Sequence, residues 1–488
     1  MSREQLTAGA RPIDRVEGRP SLALPCTGRT VLAVAFKGRH EKTTQTRGTT
    51  MSEIPDKDGA DSAREGPAGR DPEAVQQGLD LFRALRNHRN YRLFLTGHSV
   101  SGIGTWMQLT AQDWLVLELT HGSGAAVGIT AGLQALPVAL FSLYGSVLAD
   151  RYRKRRVLLI TQAAMGVLAL VLGVLTVTGS IEVWNVYALA FGLGLVVALN
   201  KPAWMAFTFE VVGPRDVANA VGLNSATINT AKILGPAVAG VLIAAVGTGP
   251  VFLINAASFA VMELVLCLMR EDELYVKVPV ARAKGQLREG LRYVLEHRDL
   301  AMVMTIMLLV SAFGMNFTVT DALMSREVFH TEASSFGIVT AMTAVGGLTG
   351  SLLSARRRQP SMRGMLTAAT AFSVLVIVTG LMPSYWAFAA MHLPAGMAMA
   401  SFVTTASSLT QLSAPEEMRG RVTGLYVLTI IGSGPIGYPL IGWLAEIFGP
   451  RSTLIIGGFV SLVSVVGTVA FMAPVATGLL ARGTTPRP

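Results

Sequence analysis

Runs of about 20 apolar residues recur from Leu79 almost to the C-terminus, and they leave the chain few ways to fold. A helix of that length crosses the hydrocarbon core of a bilayer. Inside lipid only helices and closed barrels satisfy every backbone N–H and C=O. Twelve such segments fall near 93–118, 124–148, 157–179, 184–208, 217–246, 250–269, 300–322, 333–355, 364–382, 386–411, 419–447 and 452–478. Composition agrees: 51% of residues are hydrophobic and 15% charged, against about 25% charged in soluble domains, and mean hydropathy is +0.47. The expected fold class is an all-α membrane protein with twelve transmembrane helices in two pseudo-symmetric six-helix bundles.

The net charge of +10 is distributed between those segments, so it does not point to nucleic acid. Twenty-five lysines and arginines fall on one set of alternate loops, including Arg83 to Arg92, the RYRKRR run at 151–156, seven between 270 and 299, and Arg419 with Arg421. Only Arg326 and Arg451 fall on the other set. The positive-inside rule then places both termini in the cytoplasm of a cell whose inner membrane the chain crosses. Some of these cations also suit contact with anionic membrane lipid.

The organisation that follows is a polar, disordered tail over 1–78, a first bundle over 79–269, a cytoplasmic linker over 270–299, a second bundle over 300–480 and a short cytoplasmic tail over 481–488. Met51 opens MSEIPDKDG, so residues 1–50 read as an overextended start, which N-terminal sequencing that found Ser2 would overturn. In the linker, Leu287, Leu291 and Leu295 recur every fourth residue among cations, the pattern of an amphipathic helix on the inner membrane surface. Cys26 and Cys267 are too far apart in sequence to indicate a disulfide framework.

The two halves repeat each other. Gly145, Ser146, Leu148 and Arg151 recur 205 residues on as Gly350, Ser351, Leu353 and Arg356, and Gly222, Leu223, Gly235 and Gly240 recur 202 residues on as Gly424, Leu425, Gly437 and Gly442. Parallel repeats of six helices about a central loop describe a transporter that rocks around a midplane site. Between segments two and three, Gly145, Asp150, Arg151 and Arg155 sit in GSVLADRYRKRR, and Arg419 and Arg421 occupy the matching end of the second half. An aspartate among cations at a tight turn makes a conformational latch; the plainer alternative is a short charged loop. In LGPAVAG, Pro236 kinks segment five while Gly235 and Gly240 permit close packing.

These segments, with AQDWLVLELT at 111–120, AVGLNSATINTAKILGPAVAG at 220–240 and RGRVTGLYVL at 419–428, resemble the major facilitator superfamily, in particular its transmembrane secretion effector branch with enterobactin-exporter-like members. The similarity covers essentially all of 80–480. It implies alternating access and export of small molecules by proton antiport. Residues 145–156 are similar to the superfamily's GxxxDRxGRR turn, with Ser146 where a glycine is usual. Residues 231–240 are similar to the antiporter motif GxxxGPxxGG, with alanine at two of its glycines. Asn200 and Trp204 stand where the family often has aspartate and arginine, which puts any coupling scheme carried over from relatives in doubt.

Ionisable groups at bilayer depth cost at least ~2.5–3.5 kcal/mol, so each is a functional candidate. Asp113, within Gln108, Gln112 and Trp114, leads the proton-coupling candidates, followed by Lys232 and Glu263. Lys232 suits an ion pair with Asp113 or direct contact with an anionic substrate group. Lys201 and Glu263 suit a compensating pair, or separate snorkelling to the inner interface. Gln108, Gln112, Trp114, Asn200, Lys201, Asn224, Asn316 and His392 are cavity candidates, with a structural histidine as the alternative at 392. Methionines 302, 304, 307, 315 and 324 suit either pliable cavity walls or helix contacts.

The expected activity is proton-antiport efflux of amphipathic or drug-like compounds by a monomer. A dedicated siderophore or metabolite exporter is the second reading and a non-transporting sensor or scaffold the third. The partners are thus a small-molecule substrate, protons and lipid, with no nucleic acid. No cofactor or metal is implied, since neither a phosphate-binding loop nor a nucleophile–base or metal-ligand spacing is present, and the chain reads as no enzyme.

Overall fold

The computed structural model describes residues 82–275, 286–356 and 359–482; the expected tail of 1–78, Cys26 and the extreme C-terminus past Arg482 lie outside these residues. They form α1 (Arg83–Asn87), α2 (Arg89–Leu119), α3 (Gly124–Arg151), α4 (Lys154–Val177), α5 (Val183–Val246), α6 (Thr248–Leu268), α7 (Gln286–Glu296), α8 (Arg298–Phe313) and α9 (Phe317–Leu323). A π-helical turn, Met324–Val328, prolongs α9. Then come α10 (Ala333–Ala355), α11 (Met362–Gly380), α12 (Tyr385–Leu412), α13 (Glu416–Phe448) and α14 (Pro450–Arg482).

Among the described residues ten helices are long and apolar enough to cross a membrane, with α8, α9 and the π turn counted as one. One of the ten, α5, has 64 residues and would span about 96 Å if straight, enough for two crossings. It bends at Gly213, whose φ of 68° is a left-handed conformation that a side chain disfavours, just ahead of Pro214. The second half meets the same instruction at Pro415, where α12 and α13 separate outright. The 31-residue α2 falls outside the ten because of its polar residues. With the two arms of α5 and α2 counted separately, the described helices are consistent with twelve crossings.

Lipid tails are as apolar as leucine, so close backbone packing rather than the hydrophobic effect joins these helices. The repeat glycines supply it. A Cβ at Gly145 would collide with the Ala198 carbonyl where α3 meets α5, and one at Gly350 with the Met397 carbonyl where α10 meets α12. The matched offset is therefore a matched helix contact.

The halves meet across two seams. The start of α3 packs on the end of α13, with Gly124 against Gly442, Gly128 against Tyr438 and Gly132 against Pro439. The end of α5 packs on the start of α10, with Gly240 against Ala333 and Gly337 against Pro236. All four helix ends carry the loops that the arginine count predicts to be external. At the opposite ends, a Cβ on Gly222 of α5 or Gly424 of α13 would meet nothing within 4 Å. The halves are packed together at one end, and at the other these two positions face open space.

In the linker, α7 turns Gly290 and Val294 inward, and Arg421 Nη1 reaches Glu289 Oε1 at 2.7 Å. Leu291 and Leu295 stay exposed, as a helix that also touches a membrane surface requires, while Leu287 lies outside the described side chains. Met302, Met304, Met307 and Met324 are buried in the second half's core. They fill helix contacts, so these four do not provide the pliable cavity walls that were the other reading; Met315 is only partly buried against that core.

Candidate functional site

Polar side chains inside a dry bundle must find partners, and in α2 they find them on neighbouring helices. Asn255 of α6 donates through Nδ2 to Gln108 Oε1 at 2.6 Å, and Ser258 donates to Asn255 Oδ1 at 2.9 Å. Gln112 donates to Gln134 Oε1 of α3 at 3.3 Å. These bonds hold α2 between α3 and α6. Gln108 and Gln112, expected along a cavity, are buried at this junction.

Asp113 is 5% exposed, and no hydrogen bond or ion pair to it is found among the described residues. It lies within electrostatic reach of Tyr438 on α13, across the seam. Trp114 is buried in that seam rather than on an open wall. Its ring stacks 6.3 Å from Phe336 of α10, Arg326 lies 5.7 Å from its centre, and its Nε1 donates to Glu118 Oε1 at 2.9 Å.

Lys232 is not paired with Asp113. Its Nζ sits 5.4 Å from the Trp106 ring centre, a cation–π contact, and the other charge acting on it is Lys201. Nor do Lys201 and Glu263 pair: Lys201 is exposed, and Glu263 Oε2 is buried without a hydrogen-bond partner among the described residues. In this conformation both expected compensating pairs are open. Asn200 donates to Thr161 Oγ1 at 2.8 Å, and Asn224 Oδ1 is buried without a partner.

Of the latch residues, Arg155 and Arg419 bond within their own halves, and Arg421 pairs with Glu289 of the linker. Arg155 donates to the carbonyls of Leu266 and Cys267 at 2.8 and 3.0 Å and pairs with Glu271, clamping α4 to the end of α6. Arg419 donates to the Gln411 carbonyl at 3.1 Å, and Arg151 is exposed. Asp150 is placed in α3, but its side chain lies outside the described set. Among the described contacts neither Arg155 nor Arg419 reaches the other half. Gly235 presses on Ile103 and Trp106 of α2, while Pro236 and Gly240 form the seam with α10.

Several charged contacts were not legible as pairs. Lys154 bonds Glu210 at 3.1 Å with both side chains largely buried, and Asp216 takes Arg83 and His88 at 3.0 Å each. Both acids flank the Gly213 bend, and that placement was the available signal. At the closed end Glu446 of α13 accepts from the Ser123 hydroxyl and from Ala125 N at 3.2 Å, so a second-half carboxylate caps a first-half helix. In the second half Asn316 donates to the Ala312 carbonyl at 2.8 Å across the break between α8 and α9. His392 is fully buried and bonds Asp321 at 2.9 Å, away from any open wall.

A helical bundle parted at one end, with buried unpaired charges, has the form of a carrier. The family model described as transmembrane secretion effector matches residues 82–481. The chain belongs to this family of the major facilitator superfamily. It is thus a multi-pass membrane transporter of small molecules and not an enzyme. Among curated relatives, the multidrug efflux pump Tap of Mycobacterium tuberculosis is 27% identical over 74% of this chain and 88% of its own length. The enterobactin exporter EntS of Shigella flexneri is 25% identical over 79% and 92%. The staphyloferrin A transporter of Staphylococcus aureus is 27% identical over 54% of this chain and 66% of its own. Among solved structures, an inward-facing, unoccupied bacterial homolog of the human lysosomal transporter Spinster covers 82% of this chain and 99% of its own, with a TM-score of 0.63 at 16% identity. That likeness concerns the fold.

Proposed function

We propose that this protein exports amphipathic or drug-like small molecules by alternating access, as a monomer in the bacterial inner membrane with both termini cytoplasmic, and that protons moving inward drive it. The carrying observation is the asymmetry of the two ends. Gly124, Gly128, Gly240 and Gly442 close the halves at the end expected outside, while Gly222 and Gly424 stand free at the end rich in arginine. That is the posture in which a carrier receives cargo from the cytoplasm. Asp113 is the first coupling candidate because it is buried without a cation partner. A carboxyl so placed holds a proton while dry and releases it when water reaches it from the other side. Similarity to relatives named as an efflux pump and as an exporter supports the outward direction.

The test is ethidium extrusion from intact cells, comparing the unaltered protein with Asp113→Asn and Lys232→Ala, with and without a protonophore. Proton-driven extrusion that Asp113→Asn abolishes is expected. Equal extrusion in all settings overturns the coupling, and no extrusion by any protein overturns the drug-like cargo and leaves the dedicated-exporter reading.

A second reading, a dedicated exporter of an anionic siderophore or metabolite, is favoured by one observation. Lys201 and Lys232 act on each other, and neither has an acidic partner among the described residues. Two neighbouring uncompensated cations make a positive field that an anionic cargo relieves. If Lys201→Gln with Lys232→Gln abolishes export of a carboxylate siderophore and spares ethidium, this reading prevails.

A further inference from the structure

The buried pair on α9 and α12 has a proton count that its hydrogen bonds fix. His392 Nδ1 lies 2.9 Å from the Phe388 carbonyl, which can only accept, so Nδ1 carries a hydrogen. Nε2 lies 2.9 Å from Asp321 Oδ1. That contact is bonding in two forms: an imidazolium donating to a carboxylate, or a protonated carboxyl donating to a neutral imidazole. Both hold one proton between the residues, and both make the pair neutral overall. Remove it and the Nε2 lone pair faces an anionic oxygen at 2.9 Å.

The surroundings offer no relief. The side chains are 0% and 2% exposed, and Phe317 and Phe388 pack edge-on against the imidazole with centroids 5.3 and 4.5 Å away. No charged group other than its partner acts on either residue. On the packed helices, Asp113 of α2 and Tyr438 of α13 interact with each other, and Glu446 of α13 caps α3. Arg451 of α14 donates to the Met382 carbonyl, and Tyr385 of α12 donates to the Ser335 carbonyl. The charges of α3, α8 and α11 (Asp150, Arg151, Arg298, Asp299, Arg363) lie at the opposite ends of their helices, and α10 carries none.

What the pair holds in place is part of the closed end. The break at 314–316 sets α9 off from α8, and a π turn follows it, so α9 is a short segment with irregular backbone on both sides. Its Val319, Ala322 and Leu323 pack in one cluster with Trp114, Phe336 and Ala445, spanning both halves, and Leu323 Cδ1 lies beside Gly124.

We propose that Asp321 and His392 form a second proton-binding site, a clasp that keeps α9 on α12 and the external seam closed only while the shared proton is present. Loss of the proton frees α9 and favours opening at that end; rebinding from outside recloses it. The inference rests on the proton-driven reading above and adds a residue pair in the half that Asp113 does not occupy.

The experiment uses the full-length chain, with both native cysteines replaced by serine, and spin labels at Ser180→Cys and Glu332→Cys. These positions are exposed on either side of the closed end. Distances are measured without substrate near about pH 5.5 and about pH 9, bracketing the ~6.5 of free imidazole. The ratio of long to short distances is expected to rise about tenfold at the higher pH, the change for a proton affinity differing by one pKa unit between states. Asp321→Asn donates an amide hydrogen to neutral Nε2 at any pH, so this variant should stay at the short distance throughout. His392→Gln carries the same expectation should the first variant fail to fold. A pH-independent ratio in the unaltered protein, or an unchanged pH response in the variant that folds, overturns the clasp. Ethidium extrusion by the same protein in proteoliposomes under an imposed pH gradient separates the two claims. Gradient-driven extrusion with a flat ratio sinks the clasp alone, and a pH-dependent ratio with gradient-independent extrusion sinks the antiport reading.

Discussion

The first half keeps its membrane-depth charges apart, and the second half joins them. Asp113, Lys232 and Glu263 have no ion-pair partners among the described residues, whereas Asp321 and His392 share a hydrogen bond inside a shell of phenylalanines. Unpaired charge is costly in the resting structure but free to bind something that arrives, a proton or a cargo anion. Paired charge is closer to neutral in cost and responds only when a proton leaves. On the proposed reading, the two copies of one helical plan divide the work, the first toward binding and the second toward holding a conformation.

Removing one member of each set should break that comparison most sharply. His392→Ala strands Asp321 in an apolar shell, and a broken buried pair costs about 3 kcal/mol or more, to be read as a lowered unfolding midpoint in detergent. Asp113→Asn strands nothing. Its midpoint is expected within about 1 kcal/mol of the unaltered protein while gradient-driven extrusion is lost. Similar stability losses for the two would mean that Asp113 has a partner after all. Next in size is a bulky residue in the closed seam. Gly128→Leu collides with the Tyr438 backbone, and such overpacking costs about 1–3 kcal/mol, here charged only to the closed state. Spin labels at positions 180 and 332 should therefore shift toward the long distance. Gly424→Leu, in open space at the other end, should hold them at the short distance and slow the transport cycle by hindering closure there.

Sequence made the repeats legible because close helix contact demands glycine, and glycine at matched offsets is visible without coordinates. Gly145 and Gly350 were found in this way, and they are matched contacts. The outcome at Pro214 and Pro415, a continuous run through Gly213 in one half and a break in the other, depends on backbone angles that spacing does not report. Charge pairing was the hardest to see. Asp321 and His392 are 71 residues apart, and Ser123 and Glu446 are 323 apart, so nothing in local pattern links them. Of the alternatives for Lys232 and for Lys201 with Glu263, the ion pairs are absent among the described residues, and the exposure of Lys201 agrees with snorkelling. A carrier parted at one end leaves such charges unpaired.

The smallest expected effect separates helix capping from seam closure. Ser123 of the first half and Ser384 of the second both cap a helix, accepting from Ala126 N at 3.2 Å and from Ala387 N at 3.4 Å. Loss of a cap costs about 1 kcal/mol of stability, so both Ser123→Ala and Ser384→Ala should lower the unfolding midpoint, Ser123→Ala by the larger amount. Only the Ser123 hydroxyl also donates to Glu446 across the seam. That bond is present in the closed state and broken when the end opens, so its removal destabilises one state and not the other. Ser123→Ala should then raise the long-distance population severalfold, about what an exposed hydrogen bond worth ~1 kcal/mol gives, while Ser384→Ala leaves the ratio unchanged. Equal ratios in the two variants would place the closing force in the glycine packing alone, with Glu446 acting as no more than a cap.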